Sequence, residues 1–428
     1  MRKSIRSDEY PSLALHRPPK RRLKRTEWAE HETRELLSIP FISEFVFRDL
    51  RTIDGRKDHQ AGDFLMLQAE SGILVEQKCQ ENPGSRTVAK ERLWAKKSAK
   101  EAWSQIRRAL TRPKNRPVWC DHPRRGRVEF PNGLPRISHA LAIVEVRGIV
   151  NLESDAEHLP LEYRGVPVAY LSVNDFLNLA VNLRTIPELN DYLENRRALP
   201  PTDLRHIGDE KTLFEFFLLN GGSFSGYQNR DSARQAVVAQ KDRLLQILDN
   251  KSDADRFAGL IEHVADALAR RNPHYAEDLP EQLLAAYDTP EARTGYLAMQ
   301  DAVAMLGLRA RSELGRSLHE AVEKISEQEQ GFTFMAARFD SAAEWVYVLG
   351  SSKKVPRPDV ASRSLLLMRG AMAYYQKKRC LVIIDRDSLN YEVAVAKEGF
   401  TPTSADFEFG KKLFGTLCVT SKPLSLVP

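Results

Sequence analysis

Apolar positions recur along the chain with two periods, and the change of period separates the elements. Asp63 to Ala69 and Gly72 to Lys78 are short, largely apolar runs about Glu70-Ser71-Gly72, which predicts a β-hairpin. Ile42 to Phe47 reads as a strand by its β-rich composition, and the polar, glycine-containing stretch Arg51 to Gly62 as a loop. Thr26 to about Ser38 predicts a helix: Thr26 is its N-cap, Ala29, Thr33, Leu36 and Leu37 form its stripe, and Pro40 forbids continuation. Val88 to Leu110 predicts a long helix bearing Trp94, Trp103 and Ile106 among many lysines and arginines. A proline-rich loop from Pro113 to Pro135 and a buried strand from His139 to Val146 follow.

Further along, Ser172 to Arg184 and Thr185 to Arg197 read as capped amphipathic helices. Residues 209–330 are mostly helical by period, including Arg234 to Leu248, Arg256 to Ala269, and Pro290 to Met305 after the N-cap Thr289. The chain closes with strands at Phe332 to Arg338 and Trp345 to Leu349, a helix from Val360 to Gln376, and strands at Leu381 to Arg386 and Tyr391 to Ala394. The element order is that of an α/β protein. It divides into a flexible basic arm (1–25), an α/β domain (26–170), a mainly helical middle (171–330) and a small C-terminal α/β module (331–428).

Composition narrows the class. The 428 residues are 42% hydrophobic and 29% charged, as in globular protein, and apolar runs such as Ala140 to Val144 are too short to span a bilayer. Four scattered cysteines form neither a CxxC pair nor a disulfide framework, and the basic start lacks the apolar stretch of a secretory signal. These features predict a cytoplasmic protein that avoids the membrane. The net charge of +6 conceals an asymmetry: residues 1–25 hold nine bases against two acids and residues 82–127 fourteen against three, whereas residues 251–330 hold fifteen acids against nine bases. Concentrated positive charge is the footprint of phosphate-backbone binding. On the helix Val88 to Leu110, Arg92, Lys96, Lys97, Lys100, Arg107 and Arg108 are the candidate contacts to DNA. A second basic cluster, from Lys353 to Arg379, suits either a further nucleic-acid contact or an assembly surface.

The predicted hairpin carries the chemistry. Glu76 and Lys78 are two residues apart and share a strand face. A two- or four-residue turn around Glu70-Ser71 sets Asp63 opposite Lys78 and Leu65 opposite Glu76, with all three charged groups on one face within roughly 5–8 Å; a one-residue slip would send Asp63 to the other face. Charges on a buried face need a partner or a metal. Two carboxylates suit a hard cation such as Mg2+, with Mn2+ able to substitute, that retains waters and engages a substrate phosphate. A lysine beside them can orient the attacking water and offset charge on the phosphate.

Asp63 followed by Glu76-Gln77-Lys78 on the next apolar strand, after an acid-bearing helix and a first strand, resembles the PD-(D/E)XK nuclease superfamily over about residues 26–150. The resemblance implies a restriction-endonuclease-like mixed sheet flanked by helices. It implies a magnesium-dependent deoxyribonuclease in which Asp63, Glu76 and the backbone carbonyl of Gln77 ligate the metal and Lys78 acts on the water. It also implies a helix glutamate, matched by Glu30 with Glu32 as fallback, and a polar residue two beyond the lysine, matched by Gln80. Gly62 stands where the family's name has proline. Work in bacterial or phage defence, restriction or repair is implied, as are a dimer that cuts both strands and partner subunits of a larger system. A catalytically inactive DNA-binding or assembly subunit on the same fold is the alternative. Cys120-Asp121-His122 reads as ordinary loop residues without a second ligand pair, and Gly221 to Gly226 as a turn.

Overall fold

A computed structural model describes residues 44–54, 57–68, 71–80, 87–112, 116–122, 125–152, 159–269, 290–386, 391–396, 401–415 and 419–420. The helix expected at Thr26 to Ser38, with Glu30 and Glu32, lies outside these residues. The described residues form two compact units, residues 44–251 and residues 252–420. The helices of 171–251 therefore belong to the first unit and those of 252–330 to the second.

The first unit is built on β1 (Val46–Asp54), β2 (Lys57–Gln68), β3 (Ser71–Lys78), α1 (Val88–Thr111), β4 (Val118–His122), β5 (Gly126–Phe130), β6 (Arg136–Val144), β7 (Val150–Asn151), β8 (Glu162–Tyr163) and β9 (Val166–Ser172). Eight of these strands make one mixed sheet in the order β5-β4-β1-β2-β3-β6-β9-β8. β1, β2 and β3 form an antiparallel meander, and β6 runs parallel to β3 after the crossover through α1. The central strands are nearly continuous in apolar residues because both faces are covered. Leu65, Leu74, Ala140, Ala142 and Val144 join a core that includes Ala95, Ala99, Ala102 and Ile106 of α1. The alternating Met66, Ile73, Val75, Leu141 and Ile143 are buried on the other face. There α2 (Val173–Leu183) and α3 (Ile186–Arg196) pack on the sheet. The alanine stripe of α1 admits close approach to the strands, and its Thr87 N-cap accepts from Lys90 N–H.

Two stretches differ from expectation. Arg51 to Gly62 is no loop: β1 pairs with β2 out to Asp54–Lys57, across a register shift between Leu50 and Arg51. The polar side chains there mark a strand end with little apolar cover. Pro113 to Pro135 likewise contains the hairpin β4–β5, which places Cys120-Asp121-His122 in a strand, with Cys120 and His122 buried. The first strand begins at Val46 and runs to Asp54, beyond the expected end at Phe47.

Beyond the sheet, α4 (Pro201–Leu204), β10 (His206–Ile207), α5 (Glu210–Leu219), α6 (Arg230–Ala239) and α7 (Lys241–Asp255) follow. The single helix expected from Arg234 to Leu248 is interrupted at Gln240, which leaves helical geometry at φ −112°, ψ 28°. Burial forces charges to pair here: Arg196 and Glu210 form a fully buried ion pair, and Tyr192 donates to the same carboxylate at 2.7 Å. The glycine-rich stretch after α5 is a turn, with Gly221, Gly222 and Gly226 at positive φ.

The second unit holds α8 (Ala258–Ala269), α9 (Pro290–Ala304), α10 (Leu308–Ser326), β11 (Gly331–Arg338), β12 (Trp345–Lys353), α11 (Arg357–Tyr375), β13 (Arg379–Asp385), β14 (Tyr391–Ala396), α12 (Ser404–Phe414) and β15 (Val419–Thr420). Its sheet order is β14-β13-β12-β11-β15, with β12 and β13 parallel across α11. α11 and α12 meet where Gly370 faces Gly410; a Cβ on Gly410 would sit 2.2 Å from the Gly370 carbonyl oxygen. Gly410→Ala is therefore expected to destabilise this unit by roughly 1–3 kcal/mol, seen as a lowered midpoint in thermal unfolding. An unchanged midpoint would show that the helices can separate without cost. Among the described residues no helix is long and apolar enough to cross a membrane.

Candidate active site

The hairpin β2–β3 pairs Gln68 with Ser71 and Phe64 with Val75. The two-residue connection thus lies at residues 69–70, and Leu65 stands opposite Leu74 instead of Glu76. The expected register was displaced by two residues, and an even displacement leaves every side chain on its face. Gly72, which suggested the turn, lies inside β3, where a Cβ would come within 2.6 Å of the Leu65 side chain. Its glycine serves packing.

Asp63 and Glu76 come together at the end of this pairing. Their carboxyl groups are in hydrogen-bond contact, and burial, with the Asp63 charge second, pushes the Glu76 carboxyl up to about 9. Lys78 and Arg108 oppose that shift without cancelling it. Glu76 Oε2 is buried and has no hydrogen-bond partner among the described residues. Gly62 lets the strands close here: a Cβ at this position would lie 3.0 Å from Leu74 and 3.7 Å from Glu76 Oε1. That supplies a packing reason for glycine before Asp63.

Asp63 is held from two sides. Its Oδ2 accepts the Gln77 backbone N–H at 2.7 Å, and its Oδ1 accepts the Gln60 side-chain amide at 2.6 Å. The Gln60 carbonyl in turn accepts from Arg112 at the end of α1. Neither Gln60 nor Arg112 stood out in the sequence, because Gln60 falls in the stretch that reads as a loop; an uninterrupted strand from Lys57 would have been the signal. Lys78 Nζ donates to the Gln77 carbonyl oxygen at 3.3 Å, the atom expected to ligate a cation. Gln80 is buried and turned to Glu145: its backbone N–H donates to Glu145 Oε2 at 2.8 Å.

The oxygen set fits a hard divalent cation in number and kind only as a partial shell: two carboxylates and one carbonyl, with one carboxylate oxygen unsatisfied. Among the described residues no group of three or more His, Cys, Asp or Glu is arranged to hold a metal ion. Of the candidate phosphate contacts on α1, Arg92, Lys97, Lys100, Arg107 and Arg108 are exposed and Lys96 is half-buried. Lys97 is 3.9 Å from Glu101. The second basic cluster is largely engaged within its own unit: Arg369 pairs with Asp406, Lys378 with Glu344, Arg357 with Glu392 and Arg379 with Asp301. Comparison with protein-family models, with curated proteins and with solved structures finds no match for this chain.

Proposed function

We propose that the chain is a divalent-metal-dependent nuclease acting on DNA, with a restriction-endonuclease-like first unit. The observation that carries this reading is the pairing of buried Glu76 with half-buried Asp63, with Lys78 beside them. Without a cation, burial and the neighbouring Asp63 charge favour the protonated form of Glu76. The antiparallel β1-β2-β3 meander, the crossover through α1 and the parallel β6 support the fold assignment.

In this reading Asp63, Glu76 and the Gln77 carbonyl would hold Mg2+ or Mn2+, which when bound lowers the pKa of a water and polarises the phosphate. The chain's own groups do the rest. Gln60 and the Gln77 N–H fix the Asp63 carboxylate, and the Lys78 ammonium orients the attacking water and offsets charge on the phosphate. The exposed cations of α1 hold the backbone. Magnesium-dependent conversion of supercoiled plasmid to nicked or linear forms is the test. Binding without cleavage at any divalent-ion concentration would favour the second reading, a non-cutting DNA-binding subunit. That reading draws on the finding that, among the described residues, no three or more His, Cys, Asp or Glu are grouped to hold a metal ion.

Affinity for DNA should fall steeply with salt, about 0.9 in log K per decade of salt for each phosphate neutralised. Arg92→Ala, Lys97→Ala and Lys100→Ala combined are expected to reduce that slope by about 2 to 3, measured by anisotropy titrations at several salt concentrations. An unaltered slope would move the DNA path off this helix.

A further inference from the structure

Asp63 also lines a cleft of about 620 Å³, together with Arg48, Arg51, Gln60, Trp119 and Asp121. The cleft is built from the polar ends of β1 and β2 and from β4, which Arg51 and Trp119 join as cross-strand partners. Its volume lies within the range of small-ligand sites, about 300–1,000 Å³. Three features select the kind of ligand. Trp119 supplies an aromatic wall, with the Arg127 guanidinium 3.8 Å from its ring centroid and that of Arg51 at 6.0 Å. The lining guanidiniums of Arg48 and Arg51 stand among the acids Asp49, Asp63 and Asp121, and Arg51 bonds Asp49 at 2.7 Å, so the lining carries no excess of positive charge to select a phosphate. The amides of Gln60 and Gln77 add both donors and acceptors to the lining.

A flat, uncharged group with hydrogen-bonding edges meets all three conditions. We infer that this cleft takes an unpaired nucleobase against Trp119, beside the Asp63 carboxylate, so that the substrate is a strand whose base is unstacked at the point of cleavage. The assignment rests on the nuclease reading. A base inside a duplex could not present its face to the indole, whereas a single-stranded or flipped-out one could.

The test is a cycle between the indole and the bases. A 12-residue oligothymidylate and an abasic strand with the same number of phosphates are titrated against the full chain in calcium. The wild type is expected to prefer the thymidylate by about five- to 100-fold, the range of one or more stacked bases. Trp119→Ala should lose at least about fivefold of that preference, and Trp119→Phe should keep most of it. A preference equal in Trp119→Ala and wild type, or no binding of either strand, overturns the base cleft. Plasmid nicking in magnesium by the wild type reports separately on the underlying reading. Nicking together with an unchanged preference removes the cleft alone; no nicking by the wild type removes the nuclease reading as well.

Discussion

Alanine in place of Asp63, Glu76 or Lys78 is expected to slow magnesium-dependent DNA cleavage by on the order of 10³-fold or more, with far-UV circular dichroism unchanged. The size follows from the geometry. Asp63 and Glu76 form one hydrogen-bonded pair, so removing either leaves half of an oxygen set that acts as a unit. Two substitutions together should therefore cost little more than one, the non-additivity of groups that serve a single step. Gln60→Ala removes only a positioning hydrogen bond to Asp63 Oδ1. Its loss should be nearer tenfold and should be rescued by an asparagine or histidine that reaches the same oxygen. Initial rates of plasmid nicking across these variants decide the matter. Parental rates in Asp63→Ala would take that residue out of the site.

Glu76→Gln is expected to stabilise the folded chain, by an amount that grows as the pH rises. The Glu76 carboxyl is raised from 4.5 to about 9 by burial first and by the Asp63 charge second. Folding therefore favours its protonated form. The associated stability is fully present below the unfolded value and is lost as the pH climbs through the folded one. Between these limits the slope is at most about 1.4 kcal/mol per pH unit. A neutral amide of the same shape does not titrate, so the variant's advantage over the parent should widen by up to about 2–3 kcal/mol between pH 6 and pH 8. Urea denaturation of both proteins at the two pH values measures this difference, and parallel stabilities would mean that Glu76 is ionised in the fold. Magnesium should narrow the gap, because a bound cation takes the place of the proton on Glu76. This expectation stands on burial and charge alone and holds whether or not the protein cuts DNA.

The hairpin that joins Asp63 to Glu76 was legible because two apolar runs ending in Asp63 and in Glu76-x-Lys78 leave few ways to bury their faces without bringing those ends together. Helix caps were equally legible: Ser172 and Thr185 each accept the N–H three residues on, a local interaction written within four residues. Local pattern did not reveal where β1 and β2 continue past Gly62, nor the hairpin β4–β5. Their side chains are polar, and it is pairing with neighbours in the sheet that holds them extended. For the same reason Gln60, Arg112 and Trp119 carried no signal. Each gains its place only when strands distant in sequence lie side by side.

The amino-acid sequence by itself determined which residues must leave water and which local turns and caps the backbone takes, since both depend on side chains a few positions apart. Tertiary structure alone decided the hairpin register, the raised carboxyl of Glu76 beside Asp63, and the sorting of the helical stretch between two units. These depend on the dielectric surroundings and packing that distant segments supply, and a carboxylate's neighbours across a sheet are not written beside it in the chain.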